Sequence, residues 1–117
     1  MIVRPEQRAN VVNTLRSALD RAGLQSVGIM ADESSQTGNF IPAAPTWIPS
    51  AASSLAAIAH HQYGFGNDNA VTQMGQLGRS LSGGVETWFT EICCWAAADS
   101  SKARDPAAPL TYRQGFE

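Results

Sequence analysis

Apolar positions recur along this chain with two alternating periods. From Pro5 to Gly23 the spacing is helical: Val12, Leu15, Leu19 and Ala22 share a stripe, with Arg8, Arg16 and Asp20 among the polar positions. Pro5 suits the first helical position, Glu6 complements the positive end of the helix dipole, and Gly23 is a natural C-cap. Ser26 to Ala31 is short, apolar and β-capable, and runs into Asp32-Glu33-Ser34-Ser35. Gln36 to Pro49 reads as a loop because of Gly38, Pro42, Pro45 and Pro49, with a helix over Thr46 to Ala56 whose first turn holds Pro49. Ala57-Ile58-Ala59-His60-His61-Gln62-Tyr63 reads as a strand and Gly64 to Asp68 as a turn. Asp68 or Asn69 can cap a helix to about Leu81, weakened by Gly75 and Gly78, before Ser82-Gly83-Gly84 breaks it. The last strand, Val85 to Ile92, reads as buried. Val85, Thr87 and Phe89 face one side, Trp88 and Thr90 the other, and Glu91 stands where the strand runs out. Beyond Cys94 the chain is rich in Ala, Asp, Pro and Ser, so a long loop is expected over 96–117.

The order α-β-α-β-α-β argues for parallel strands joined by crossover helices. Three adjacent strands are expected near Val27–Ala31, Ile58–Tyr63 and Val85–Glu91, with the helices on one side. At 117 residues there is room for one domain, and 44% hydrophobic residues set the chain apart from disordered and membrane-spanning classes. One lysine, seven scattered arginines and a net charge of −2 form no basic stripe, so no nucleic-acid partner is expected. No apolar run approaches a membrane span, so no membrane partner is expected either. Met1-Ile2-Val3-Arg4 leads straight into a polar helix, and no signal peptide is expected there. Cys93 and Cys94 are adjacent, which strains a disulfide and supplies too few ligands for zinc; they read as small buried hydrophobes.

The chemistry concentrates at the strand ends. Asp32-Glu33, His61-Gln62-Tyr63 and Glu91 each close a strand, and in a parallel sheet those ends lie on one side, where α/β barrels keep their catalytic groups. If Tyr63 points inward, alternation sends His61 inward and His60 outward. Tyr63 can then hydrogen-bond Glu91 and hold it ionised. Neighbouring histidines on a strand point to opposite faces, which argues against joint ligation of a metal, and no metal or organic cofactor is implied. Trp88, Trp95 and Tyr112 offer flat apolar faces on which sugars can stack, although Trp47 and Trp88 also fit core or interface positions. Taken alone, Glu91 fits a structural carboxylate, and Asp32-Glu33-Ser34-Ser35 a polar turn; the coincidence of three such strand ends favours a site.

The run from Ala57 to Tyr63, followed by a helix and then Trp88-Phe89-Thr90-Glu91-Ile92-Cys93-Cys94, resembles the sixth and seventh strands of family 30 glycoside hydrolases, in the endo-β-1,6-galactanase-like branch. Arg4-Pro5-Glu6-Gln7-Arg8 with its helix, and Val27-Gly28-Ile29-Met30-Ala31-Asp32-Glu33-Ser34, resemble that branch's fourth helix and fifth strand. The resemblance spans most of Pro5 to Trp95. It implies a partial (β/α)8 barrel of about three β/α units and a retaining hydrolysis of β-linked galactan or a related polysaccharide. It implies Glu91 as nucleophile, with Asp32, Glu33, His61, Tyr63 and Trp95 lining the sugar site. Family members are usually secreted. Their acid/base follows an asparagine at the end of the fourth strand, and no Asn-Glu pair occurs in this sequence. The chain is therefore expected to be a fragment of such a catalytic domain, a truncated gene model or a degraded homologue, inactive alone, and to self-associate through open sheet edges. Glu33 could replace the acid but belongs to a different strand. The alternatives are a truncated barrel that keeps only carbohydrate binding or an assembly surface, and a flavodoxin-like module, which would need a phosphate-binding first turn that is absent.

Overall fold

The computed structural model describes residues 3–35, 37–63 and 68–93, without the side chains of residues 37, 62–71, 92 and 93. Helices α1 (Pro5–Arg21), α2 (Thr37–Ala51) and α3 (Asp68–Ser82) alternate with strands β1 (Met30–Ser34), β2 (Ala57–Tyr63) and β3 (Glu86–Cys93). The strands form one parallel sheet in the order β1-β2-β3. The protein is thus an α/β unit with a three-stranded parallel sheet and flanking helices.

The helices pack on one sheet face. Val12 of α1, Phe40, Ala44, Trp47, Ile48 and Ala51 of α2, and Met74 of α3 share a core with Ile29 and Ile58, and Ala31, Val85 and Phe89 pack against it. Met30, Glu86, Trp88 and Thr90, from the other face, are exposed.

Four expectations need correction. The stretch 37–49 is helical, not a loop: α2 places Phe40, Ala43, Ala44, Trp47, Ile48 and Ala51 on a buried stripe, while Pro42, Pro45 and Pro49 fall on its exposed side. A proline inside a helix loses a hydrogen bond and costs about 3 kcal/mol. Here the burial of a phenylalanine, a tryptophan and an isoleucine, each worth roughly 1.5–3 kcal/mol, opposes that cost. The first strand starts at Met30, later than Ser26. In α1 only Val12 is buried; Leu15 is exposed and Leu19 half-buried. β3 is not a buried strand: its residues alternate between half-buried and exposed through Thr90, and Glu91 is exposed as well. The expected turn at 64–67, the side chain of Tyr63, Trp95, Tyr112 and the expected loop 96–117 lie outside the described residues.

Two local devices fix how β1 begins. Gly23 adopts φ 75°, and the Leu24 amide donates to Leu19 O at 2.9 Å, which ends α1. Arg16 then ties the descending chain to the helix, donating to Val27 O at 2.6 Å, Leu24 O at 3.0 Å and Asp20 Oδ1 at 2.9 Å. At the far side of the sheet, Gly78 lets α3 approach β3: a Cβ there would lie 2.7 Å from Thr87 Oγ1.

Candidate active site

Two irregularities in the sheet create the site. Along β1, Asp32 pairs with Ala59 and Ser34 with His60, so Glu33 is an extra residue with no partner. Along β3, Phe89 pairs with His60 and Glu91 with His61, so Thr90 is extra. Both bulges flank the same level of β2. A bulge suspends strict alternation and re-aims the residues around it. Without the second, Glu91 would follow Val85, Thr87 and Phe89 toward the helices. With it, Glu91 pairs with His61, which faces away from the helices. Glu33 carries the local strain, as the only described non-glycine residue with positive φ, at 61°. Such backbone in a non-glycine residue is uncommon and clusters at functional positions.

The side chains meet around His61. Its Nε2 is hydrogen-bonded to Glu33 Oε2 and lies 3.7 Å from Glu91 Oε2. Thr90 Oγ1 donates to Glu33 Oε2 at 2.9 Å and also approaches His60 O at 3.3 Å. Residues from all three strand ends thus contact one another at a partly open surface: the His61 side chain is 15% exposed, that of Glu33 41% and that of Glu91 52%. The Glu91 carboxylate is half open to water rather than closed off at a buried strand end. Trp88, 49% exposed, stands on the same face of β3, one alternation before Thr90, with its indole N–H donating to Glu86 at 3.0 Å.

Asp32 is held apart from this cluster. Its side chain is 3% exposed, pairs with Arg8 of α1 at 2.6 Å and accepts a hydrogen bond from Ser34. Burial pushes its carboxyl above the usual range, outweighing the hydrogen bond from Ser34 and the Arg8 charge, which act the other way. Asp32, Glu33 and Ser34 border a cleft of about 370 Å³ between α1 and β1.

His60 and His61 do separate to opposite faces. His60 is buried among the helices, its ring 5.7 Å from Phe40 and 4.8 Å, edge-on, from Phe89. Burial, reinforced by the neighbouring His61, lowers its pKa to about 4. Among the described residues no group of three His, Cys, Asp or Glu side chains is arranged to hold a metal, and no helix is long and apolar enough to cross a membrane.

Sequence reasoning found the convergence of strand ends but not the bulges, and it passed over Thr90 as a site residue. No protein-family model, curated protein or solved structure matches this chain.

Proposed function

We propose that the chain carries part of a retaining glycoside hydrolase site, with its three β/α units corresponding to the fifth to seventh of a (β/α)8 barrel. The reading rests on one observation: Glu33, His61, Thr90 and Glu91 meet at the C-terminal ends of three adjacent parallel strands. That is where α/β barrels gather catalytic groups. Glu91, pairing across from His61 and half open to solvent, is the nucleophile. Its carboxylate attacks the anomeric carbon of a β-galactoside and forms a glycosyl ester. His61 and Glu33 line the sugar beside it, and Trp88 offers an exposed ring on the same face for the sugar's C–H surface. The substrate is a β-linked galactan or a related polysaccharide.

A dinitrophenyl β-galactoside bearing fluorine beside the anomeric carbon tests this. Its leaving group departs without protonation, and the fluorine slows hydrolysis of the ester. The expected outcome is a chain heavier by one fluorosugar, and no such adduct on Glu91→Gln. Titration with β-1,6-linked galacto-oligosaccharides forms the second arm. Binding without an adduct would favour a truncated barrel that keeps only carbohydrate recognition; neither binding nor adduct would overturn the proposal.

A further inference from the structure

We infer that Glu33 is the second catalytic carboxyl of this site, the general acid and base that the missing Asn-Glu pair would otherwise supply. The inference rests on the glycosidase reading of the same cluster. A retaining mechanism needs two carboxyl groups about 5–5.5 Å apart. Glu33 and Glu91 both approach a single ring atom, His61 Nε2, one in hydrogen-bond contact and the other at 3.7 Å. The two carboxyls thus share one neighbour, His61 Nε2, which brings them to the same point of the surface. Sequence position argued against Glu33, because it belongs to the first of these strands. The bulge removes that objection by turning Glu33 over β2, at the cost of a left-handed backbone at a residue with a Cβ.

The hydrogen bonds suit the role. Both described partners of Glu33, Thr90 Oγ1 and His61 Nε2, engage Oε2, and Oε1 has no hydrogen bond among the described residues. Oε2 is thus anchored, and Oε1 is the oxygen left to face the sugar and to exchange the proton in the steps below. In the first step a Glu91 oxygen bonds to the anomeric carbon, the bond from that carbon to the leaving oxygen breaks, and the Glu33 proton passes to the leaving oxygen. In the second step the Glu33 carboxylate takes a proton from water, the water oxygen bonds to the anomeric carbon, and the ester bond to Glu91 breaks. Both carboxyls end as they began. Thr90 and His61 are positioning residues: they fix which Glu33 oxygen faces the sugar.

The test compares aryl β-galactosides with good and poor leaving groups on the purified chain. General acid catalysis is worth roughly 10²–10⁴-fold. Glu33→Gln is expected to slow release of phenol by that factor, while covalent capture of the dinitrophenyl fluorosugar stays within a few fold. In Glu33→Ala, added azide is expected to restore turnover of the dinitrophenyl galactoside and to yield a β-galactosyl azide, because a small anion that needs no deprotonation replaces base-activated water. Capture by a folded Glu33→Gln chain also separates a missing acid from a collapsed site. If Glu91 is captured but the unmodified chain releases no phenol, or if Glu33→Gln slows both leaving groups alike, Glu33 is not the acid and the glycosidase reading survives. If Glu91 is not captured at all, both readings fall together.

Discussion

At the residue scale the account turns on two histidines that share a peptide bond and almost nothing else. His61 gathers carboxylates at an open strand end, while His60 is sealed between Phe40 and Phe89 and stays neutral. His60 Nδ1 is buried with no hydrogen-bond partner among the described residues. The two neighbouring titratable groups that act on it, His61 and Glu33, push its protonation in opposite directions. Its folded pKa, about 4, lies below the ordinary value of 6.5, so between those limits the unfolded chain binds the extra proton. Stability from this residue is therefore complete above about pH 6.5 and lost as pH falls toward 4. One pKa unit corresponds to about 1.4 kcal/mol, so the loss reaches at most roughly 3–4 kcal/mol. Urea unfolding of the wild type and of His60→Leu at pH 7, 5.5 and 4.5 measures it. The wild type is expected to lose more stability than His60→Leu across that range; parallel pH profiles would show that His60 is not the acid-sensitive group.

At the scale of elements, the balance of local and tertiary forces explains which parts of the fold were legible in the sequence. β2, α3 and β3 are legible because short runs, a capping residue at Asp68 and the Ser82-Gly83-Gly84 break bound them clearly. α2 was not, because three prolines outweighed the apolar spacing from Phe40 to Ala51. The tertiary gain of burying Phe40, Trp47 and Ile48 overrides a penalty that local propensity treats as decisive. The bulges at Glu33 and Thr90 leave no mark in residue type, since neither position holds a glycine. Strict alternation therefore predicts the wrong face for Glu91 while locating its strand end. Gly78 is a further case in which tertiary contact overrides local propensity. It looks like a helix weakness worth about 1 kcal/mol relative to alanine, yet it is buried where α3 meets Thr87. Gly78→Ala should gain helix propensity but drive its Cβ into a stiff β-branched side chain. Overpacking of this kind costs about 1–3 kcal/mol. The expected result is a net loss of stability in thermal unfolding, largely recovered in Gly78→Ala/Thr87→Ala. A more stable single variant would show that α3 can shift away from the sheet.

At the scale of the whole molecule, apolar surface remains exposed. Trp88 and Met30 lie open on the sheet face opposite the helices, and Val11 and Leu15 are exposed on α1. Among the described residues β1 and β3 each pair on one side only. Unpaired edges beside exposed apolar groups favour association. Sedimentation of the purified chain is expected to give a concentration-dependent mass above 12.4 kDa; a monomer at all concentrations would contradict this. Under the proposed glycosidase reading, the same openness would leave the site accessible to a polymer and limit how much binding energy three β/α units can direct at a transition state. Slow chemistry is therefore the expectation, and covalent capture is a better readout than turnover. The most direct measurement is peptide mapping of the chain after reaction with the dinitrophenyl fluoro-galactoside. The account expects the sugar on the peptide containing Glu91, esterified to that side chain. A sugar esterified to any other residue, or a chain that binds galacto-oligosaccharide and is never labelled, would contradict it.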